Sequence, residues 1–566
     1  MRRAGVIIAV ALAAALLPAL GSAHSSGPAV RLDETAPRNA APADAVAARL
    51  LEGMGNYRLE ISTRAPLAQR FFDQGLVLAW GFNFAEAERS FREAARLDPE
   101  CAVCWWGAAY ALGPSINHDM DAAAASAAYR HIQRANQLTP HASVKERALI
   151  QALKKRYGAV PLTDRAKLDA AYAREVREVA RRFPDDADVL TLLADALMIP
   201  HGRDYWRKAG SARPWTPEIL KLLERALELA PDHPGANHFY VHVLEDSPYP
   251  ERARASAQRL QTLAPGVAHL VHMPAHVLLR LGDYAGASLA NQNAIAADRA
   301  YLRARDADPR YAAGYVEHNH HFLWYTSIMS GNSNVALAAA SELMRYAESI
   351  ATGGSATGTQ QHFLVLPLYA QVRFGRWQAI IAAPRPAQAT AYTTGVWHYA
   401  RGMAYLRTGQ PDRAREELES LNANLRSAAR DTAALKNLIP LSRLLAIATR
   451  LLQAELAAAA GNFAGAYEQS RAAVRIESGL DADEPPAWHM PARHTLGALL
   501  LEAGRVTEAE RVYREDLKAH PENGWSLVGL AESLARQGRA SAAAEARTRF
   551  ERAWTTADVV LSGSRF

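Results

Sequence analysis

Residues in this 566-residue chain recur at an offset of 34, and that offset constrains the fold more than any compositional value. His238 and His242 are four apart, as are His272 and His276, and the second pair follows the first by 34 residues. A fixed period of that length marks a stack of helical hairpins, each too small to bury its apolar face alone. Composition agrees: 49% of residues are hydrophobic, alanine runs are frequent and β-branched alternation is scarce. The expectation is an all-α chain, with the repeats stacked into one continuous body.

Further residues fall on the same grid. Numbered from Ala68, Gly75 is at position 8, Ala87 at 20, Phe91 at 24 and Pro99 at 32. Numbered from Met490, Gly497, Ala509, Tyr513 and Pro521 take those four positions, and Ala531, Gly538 and Ala543 continue into the repeat that follows. Small side chains at 8 and 20 let two helices approach, an aromatic at 24 fills the space between pairs, and proline closes the second helix. This pattern resembles the tetratricopeptide-repeat (TPR) family. The resemblance covers most of residues 66–557, in nine to twelve helical pairs. It implies a TPR-like α-solenoid of antiparallel helix pairs, forming a superhelix with a concave groove.

The N-terminus has its own logic. A basic start, an apolar run from Ala4 to Leu20 and small residues at Gly21-Ser22-Ala23 read as a secretory signal peptide over residues 1–23, cut before His24. The alternative is an uncleaved anchor, because Ala4 to Ala23 has nearly spanning length. Cleavage places the mature chain in a periplasm or outside the cell, and no later stretch is long and apolar enough to span. Residues 24–59 read as a flexible lead-in, 60–350 as an N-terminal solenoid, 351–360 as a Gly/Ser loop and 361–566 as a C-terminal solenoid. The net charge of +6 becomes +4 once Arg2 and Arg3 are removed, and no dense basic stripe points to nucleic acid.

Eight of the 19 histidines lie between Pro234 and Trp324. Numbered from Pro234, His238 and His242 are at positions 5 and 9, with Glu245 at 12. Numbered from Ala268, His269, His272 and His276 are at 2, 5 and 9, with Gly282, Tyr284 and Ala287 at 15, 17 and 20 fixing the phase. After a 15-residue insertion, a register from Glu317 places His318, His321 and Tyr325 at 2, 5 and 9, and one from Gln361 places His362 and Tyr369 at 2 and 9. Positions 2, 5, 9 and 12 share one face of a helix. In TPR proteins that face of the first helix lines the groove. His320 is the one of the eight that falls off it. Trp106 and Tyr110 occupy 5 and 9 of the repeat from Ala102, extending the face as an aromatic surface.

Imidazoles converging from neighbouring helices suit a transition metal such as zinc, copper or iron, and two at i and i+4 can share one ion. Glu245 can complete such a shell or act behind it. The His-Glu-x-x-His protease motif is absent, since Met273 follows His272. Pro274 interrupts the start of the same helix. Histidines on this face also serve without metal, by binding a partner's carboxylate or by hydrogen bonding among themselves. Cys101 and Cys104, the only cysteines, fit a local disulfide, two buried thiols or a redox pair, but neither a four-thiolate zinc site nor haem attachment.

The segments Phe72-Asp73-Gln74-Gly75, Cys104-Trp105-Trp106-Gly107, His269-Leu270-Val271-His272-Met273-Pro274-Ala275-His276 and His318-Asn319-His320-His321-Phe322 resemble those of exported bacterial TPR proteins with a His-rich centre. That resemblance supports fold and export and implies no reaction. Three functions are therefore expected to compete. One is an exported binding protein whose His-lined groove takes a metal, a peptide or protein partner, or both. Another is a metal-dependent oxidative or hydrolytic enzyme using the same histidines. The third is a metal-free interaction scaffold. No Ser/His/Asp triad motif, phosphate-binding glycine loop or dinucleotide fingerprint is present.

Overall fold

The computed structural model describes residues 48–159, 164–304, 312–350, 356–435, 438–480 and 483–566. Twelve consecutive helical pairs make up the described residues, which contain no strand. The first pair is Pro66–Trp80 with Phe84–Leu97, and the last is Gly524–Arg536 with Ala540–Ala553. The expected signal peptide and most of the lead-in lie outside the described residues, as do residues 351–355 of the Gly/Ser loop.

The repeat chemistry is the same at both ends. A Cβ on Gly75 would lie 2.7 Å from the Phe91 ring, and one on Gly107 would lie 2.4 Å from it. A Cβ on Gly497 or Gly529 would lie 2.4 or 2.2 Å from the Tyr513 ring. In each case the aromatic of one second helix is clasped between glycines of two successive first helices. The glycines are needed there for close approach. This is a TPR-like α-solenoid.

The solenoid closes on itself. Near the N-terminus, Gly266 donates its N–H to Gly53 at 2.8 Å, and the Trp80 indole lies against Gly235. Near the C-terminus, the Trp525 indole donates to Ile328 O at 3.1 Å, and Trp554 packs on Gly331. Both closures meet the central repeats. Residues 48–59, expected as part of a flexible lead-in, are fixed by the first helix: Gln74 accepts from Leu51 N at 2.7 Å and Gln69 Nε2 donates to Leu59 O at 2.8 Å. No helix of the described residues is long and apolar enough to cross a membrane.

Closure also fills the face on which a groove was expected. Trp106, Tyr325, His362 and Tyr369 are at most 1% exposed and Tyr110 is 7% exposed. Inserted segments cover this face: Trp488 and His489 pack on Tyr369, and Tyr315 packs on His269. Cys101 and Cys104 are disulfide-bonded at the start of the Ala102–Ala111 helix, and both are buried.

Candidate metal centre

Three first helices carry the histidine centre. Pro234 starts the helix Pro234–Leu244 at a position where its missing N–H costs nothing. His233 caps that helix, its Nδ1 accepting from Ala236 N at 3.1 Å. Pro274 splits the second into Ala268–His272 and Pro274–Leu281, because proline has no N–H for the helical ladder. The third, Glu317–Met329, follows a π-helical turn at Ala312–Val316 that belongs to the insertion.

These helices bring six histidines into two groups of three. In the first, the ring centres of His238 and His242 are 4.6 Å apart, and His269 lies 4.9 and 5.9 Å from them. In the second, His272 and His276 are 4.8 Å apart, and His318 lies 4.8 and 5.8 Å from them. Within each group, one nitrogen of every ring lies within 4.8 Å of the other two. Donor nitrogens on one zinc-sized ion sit ~3.3 Å apart for metal–nitrogen bonds of ~2.0–2.1 Å. Each group therefore reaches that geometry through small ring movements. His272 Nε2 and His276 Nε2 are already 2.9 Å apart.

The far side of most rings is held by the protein. His238 Nδ1 donates to the Trp80 carbonyl. His242 Nδ1 donates to Glu245 Oε1 at 3.0 Å. His272 Nδ1 donates to Asn291 Oδ1 at 2.8 Å, an orientation fixed because Asn291 Nδ2 donates to Ala287 O. His276 Nδ1 donates to Glu484, with Glu245 Oε2 at 3.1 Å. At His238, His242 and His272 the hydrogen bond at Nδ1 fixes the tautomer and leaves Nε2 with its lone pair, the usual preparation of a metal-binding histidine; His272 Nε2 accepts from His276 Nε2, a hydrogen bond that a bound metal would replace. The Nε2 atoms of His238 and His242 and both nitrogens of His269 are buried and make no hydrogen bond. Leaving buried polar atoms unpaired costs about 1–3 kcal/mol each.

Burial sets the electrostatics. It holds the imidazoles of His238, His269, His272 and His318 well below the usual histidine range, and it lowers His242 despite the neighbouring Glu245. Burial opposes charge on His276 too, but Glu245 and Glu484 outweigh it and raise its pKa. Burial pushes Glu245 up, yet Arg203, His276 and His242 together hold it well below the usual carboxylate range, so it is ionised. Aromatic rings close both groups: Phe82 lies 4.6 to 5.8 Å from the first three rings, and Phe322 4.6 to 5.1 Å from the second three.

Seven of the residues singled out in the sequence meet here: the six histidines and Glu245. His321 faces away, against Phe363 and His362. His320 donates to Val316 O at 2.9 Å. His362, Tyr369 and Tyr392 form a separate hydrogen-bonded set, linked at 2.8 and 3.1 Å. Helical spacing could not reveal Glu484, which comes from a Pro-containing loop 208 residues beyond His276. Nor could it reveal Asn291, which lies on a second helix, or Phe82, whose φ of 58° places it in the left-handed region. His118, from the loop between the helices Ala102–Ala111 and Ala122–Gln137, and Tyr315, from the 15-residue insertion, join at 3.1 Å beside His269.

The sequence matches no protein-family profile and no curated protein. Among solved structures it is similar to the human IFIT1 dimer with m7Gppp-AAAA, at 12% identity and a TM-score of 0.27, covering 88% of this chain and 91% of that one. It is similar to the APC/C hetero-tetramer Cut9-Hcn1 at 12% identity and 0.28, covering 87% and 74%, and to yeast Tom70 at 13% and 0.25, covering 86% and 90%. These likenesses carry nothing about function, and the fold rests on the helix pairs themselves.

Proposed function

We infer that this protein is a helical-repeat metalloprotein whose buried histidine centre binds a transition metal of the zinc, copper or iron class. The observation that carries this reading is the set of unpaired, lone-pair-bearing nitrogens on His238, His242 and His269, with the far sides of His238 and His242 held by hydrogen bonds. Imidazole donors in this number suit those ions. The metal-free scaffold is disfavoured because His238, His242, His269, His272 and His276 are at most 5% exposed, so a docking partner has no surface there to touch. A peptide or protein partner would have to bind elsewhere on the solenoid.

A metal-dependent enzyme, oxidative or hydrolytic, is the second reading. It is favoured by the three-donor groups, which leave coordination positions free, whereas a storage site fills its shell. In such a site Glu245 and Glu484 orient the rings, and Phe82 and Phe322 exclude water. Export is proposed on the N-terminal segment, and the Cys101–Cys104 disulfide suits an oxidising compartment. The test is elemental analysis of full-length protein purified without chelators, beside a His272→Ala/His276→Ala variant. Stoichiometric metal that falls in the variant supports the reading. Metal-free protein that also fails to take up zinc, copper or iron on reconstitution refutes it.

A further inference from the structure

The two histidine groups follow one rule of position. The first takes positions 5 and 9 of the repeat from Pro234 and position 2 of the next, His269. The second takes positions 5 and 9 of the repeat from Ala268 and position 2 of the next, His318. The ring separations repeat as well: 4.6, 4.9 and 5.9 Å against 4.8, 4.8 and 5.8 Å. Each group packs on one phenylalanine, Phe82 or Phe322. In each, the position-5 ring is held at Nδ1 by an amide oxygen, from the Trp80 backbone or the Asn291 side chain. In each, the position-9 ring is held at Nδ1 by a carboxylate. The solenoid has therefore built one three-histidine module twice.

The rule also shows where the series stops. One repeat earlier, position 2 is Gly235, where a Cβ would lie 2.8 Å from the Trp80 ring. One repeat later, positions 5, 9 and 2 are His321, Tyr325 and His362, so a tyrosine replaces the middle donor. The rule gives two complete modules.

The modules abut. Across the boundary, His269 and His272 ring centres are 6.0 Å apart, and those of His242 and His276 are 6.5 Å apart, little more than the spacings within a module. Glu245 spans the two, with Oε1 3.0 Å from His242 Nδ1 and Oε2 3.1 Å from His276 Nδ1.

We propose that the centre is binuclear, with one transition-metal ion on His238, His242 and His269 and a second on His272, His276 and His318, and that the pair takes a small oxygen-donor ligand between its ions. This deepens the metalloprotein reading and rests on it. Three protein donors per ion leave positions for a shared water, hydroxide or substrate oxygen, the arrangement by which two-metal sites clamp a reacting group.

The test uses the full-length chain reconstituted with Cu(II), desalted, and read by copper content and electron paramagnetic resonance. The wild type is expected to hold about two coppers per chain and His238→Ala/His242→Ala or His272→Ala/His276→Ala about one. Neighbouring ions broaden or silence each other's signal, so the wild type should show well under two spins and each variant one full isolated spin. His→Gln pairs replace the alanine pairs if circular dichroism shows misfolding. One copper in the wild type overturns the pair but leaves a single metal site standing. Two full, unbroadened spins place the second ion elsewhere and also overturn it. No copper overturns the metal reading itself.

Discussion

Replacing Glu245 by glutamine keeps the side chain's size and removes its charge. Glu245 is fully buried, and its two oxygens serve different modules: Oε1 accepts from His242 at 3.0 Å and from Arg203, while Oε2 lies 3.1 Å from His276. The His242 Nδ1–H bonds to Oε1, whereas the His276 Nδ1–H goes to Glu484 and only feels the charge on Oε2, so glutamine weakens the acceptor behind His242 and removes the charge that both rings face. Losing such a partner behind a ligand weakens metal binding roughly 10–100-fold, or about 1.4–2.8 kcal/mol. Breaking a buried ion pair costs about 3–5 kcal/mol of fold stability when the remaining charge is stranded. Arg203 keeps 35% of its side chain exposed, so water takes up part of that charge and the loss falls below this range. Both modules should weaken together in competition titrations with a chromophoric chelator. Asn291→Ala supplies the contrast, because the histidine that Asn291 holds is His272, and it should weaken the second module alone. Wild-type affinity in Glu245→Gln, with the fold intact, would refute the reasoning.

Three further expectations follow from the scaffold. Phe91→Ala empties the space between Gly75 and Gly107 and should cost about 3–5 kcal/mol in chemical unfolding. His494 has its pKa pushed down to about 4 by burial, against the attraction of Asp516; Arg373 donates to its Nδ1 and its Nε2 donates to Asp516. The folded state then refuses a proton that the unfolded chain accepts below about pH 6.5, so stability should fall by up to ~3.4 kcal/mol as the pH drops from 6.5 to 4. Asp516, held low mainly by His494 and His520 against its burial, adds stability above pH ~3.8 that is lost in stronger acid. His520, raised by Asp516 and Glu477 in spite of its burial, works in the opposite sense: its contribution is present below pH ~6.5 and lost above. His494→Gln, which can keep both hydrogen bonds, should flatten the fall between pH 6.5 and 4 in urea titrations. Reducing Cys101–Cys104 opens only a short loop and should cost at most about 2 kcal/mol, leaving metal content unchanged.

The helices and their phase could be read from the chain because repeat packing is local: Gly75, Phe91 and Pro99 each act within one hairpin or its neighbour. The same grid put His238, His242, His272 and His276 on one face, and that face is where the structure brings them together. What the grid could not carry was closure. An open superhelix would leave positions 5 and 9 facing a groove, whereas contacts such as Trp80 with Gly235 and Trp525 with Ile328 seal them inside. The partners that finish the site come from segments with no period: Glu484 and His118 from loops, Tyr315 from the insertion, Phe82 from a turn. The third donor of each module, His269 or His318, sits at position 2 of the next repeat, and the side-by-side packing of successive first helices carries it to the other two.

Anomalous diffraction from crystals of the metal-loaded protein, collected on both sides of the metal's absorption edge, bears most directly on the central claim. The account predicts a peak ~2.0–2.1 Å from nitrogens of His238, His242 and His269, and a second at the same distance from His272, His276 and His318. A loaded crystal with no peak at either group, or with peaks only at exposed residues such as His141 and Glu100, would contradict it.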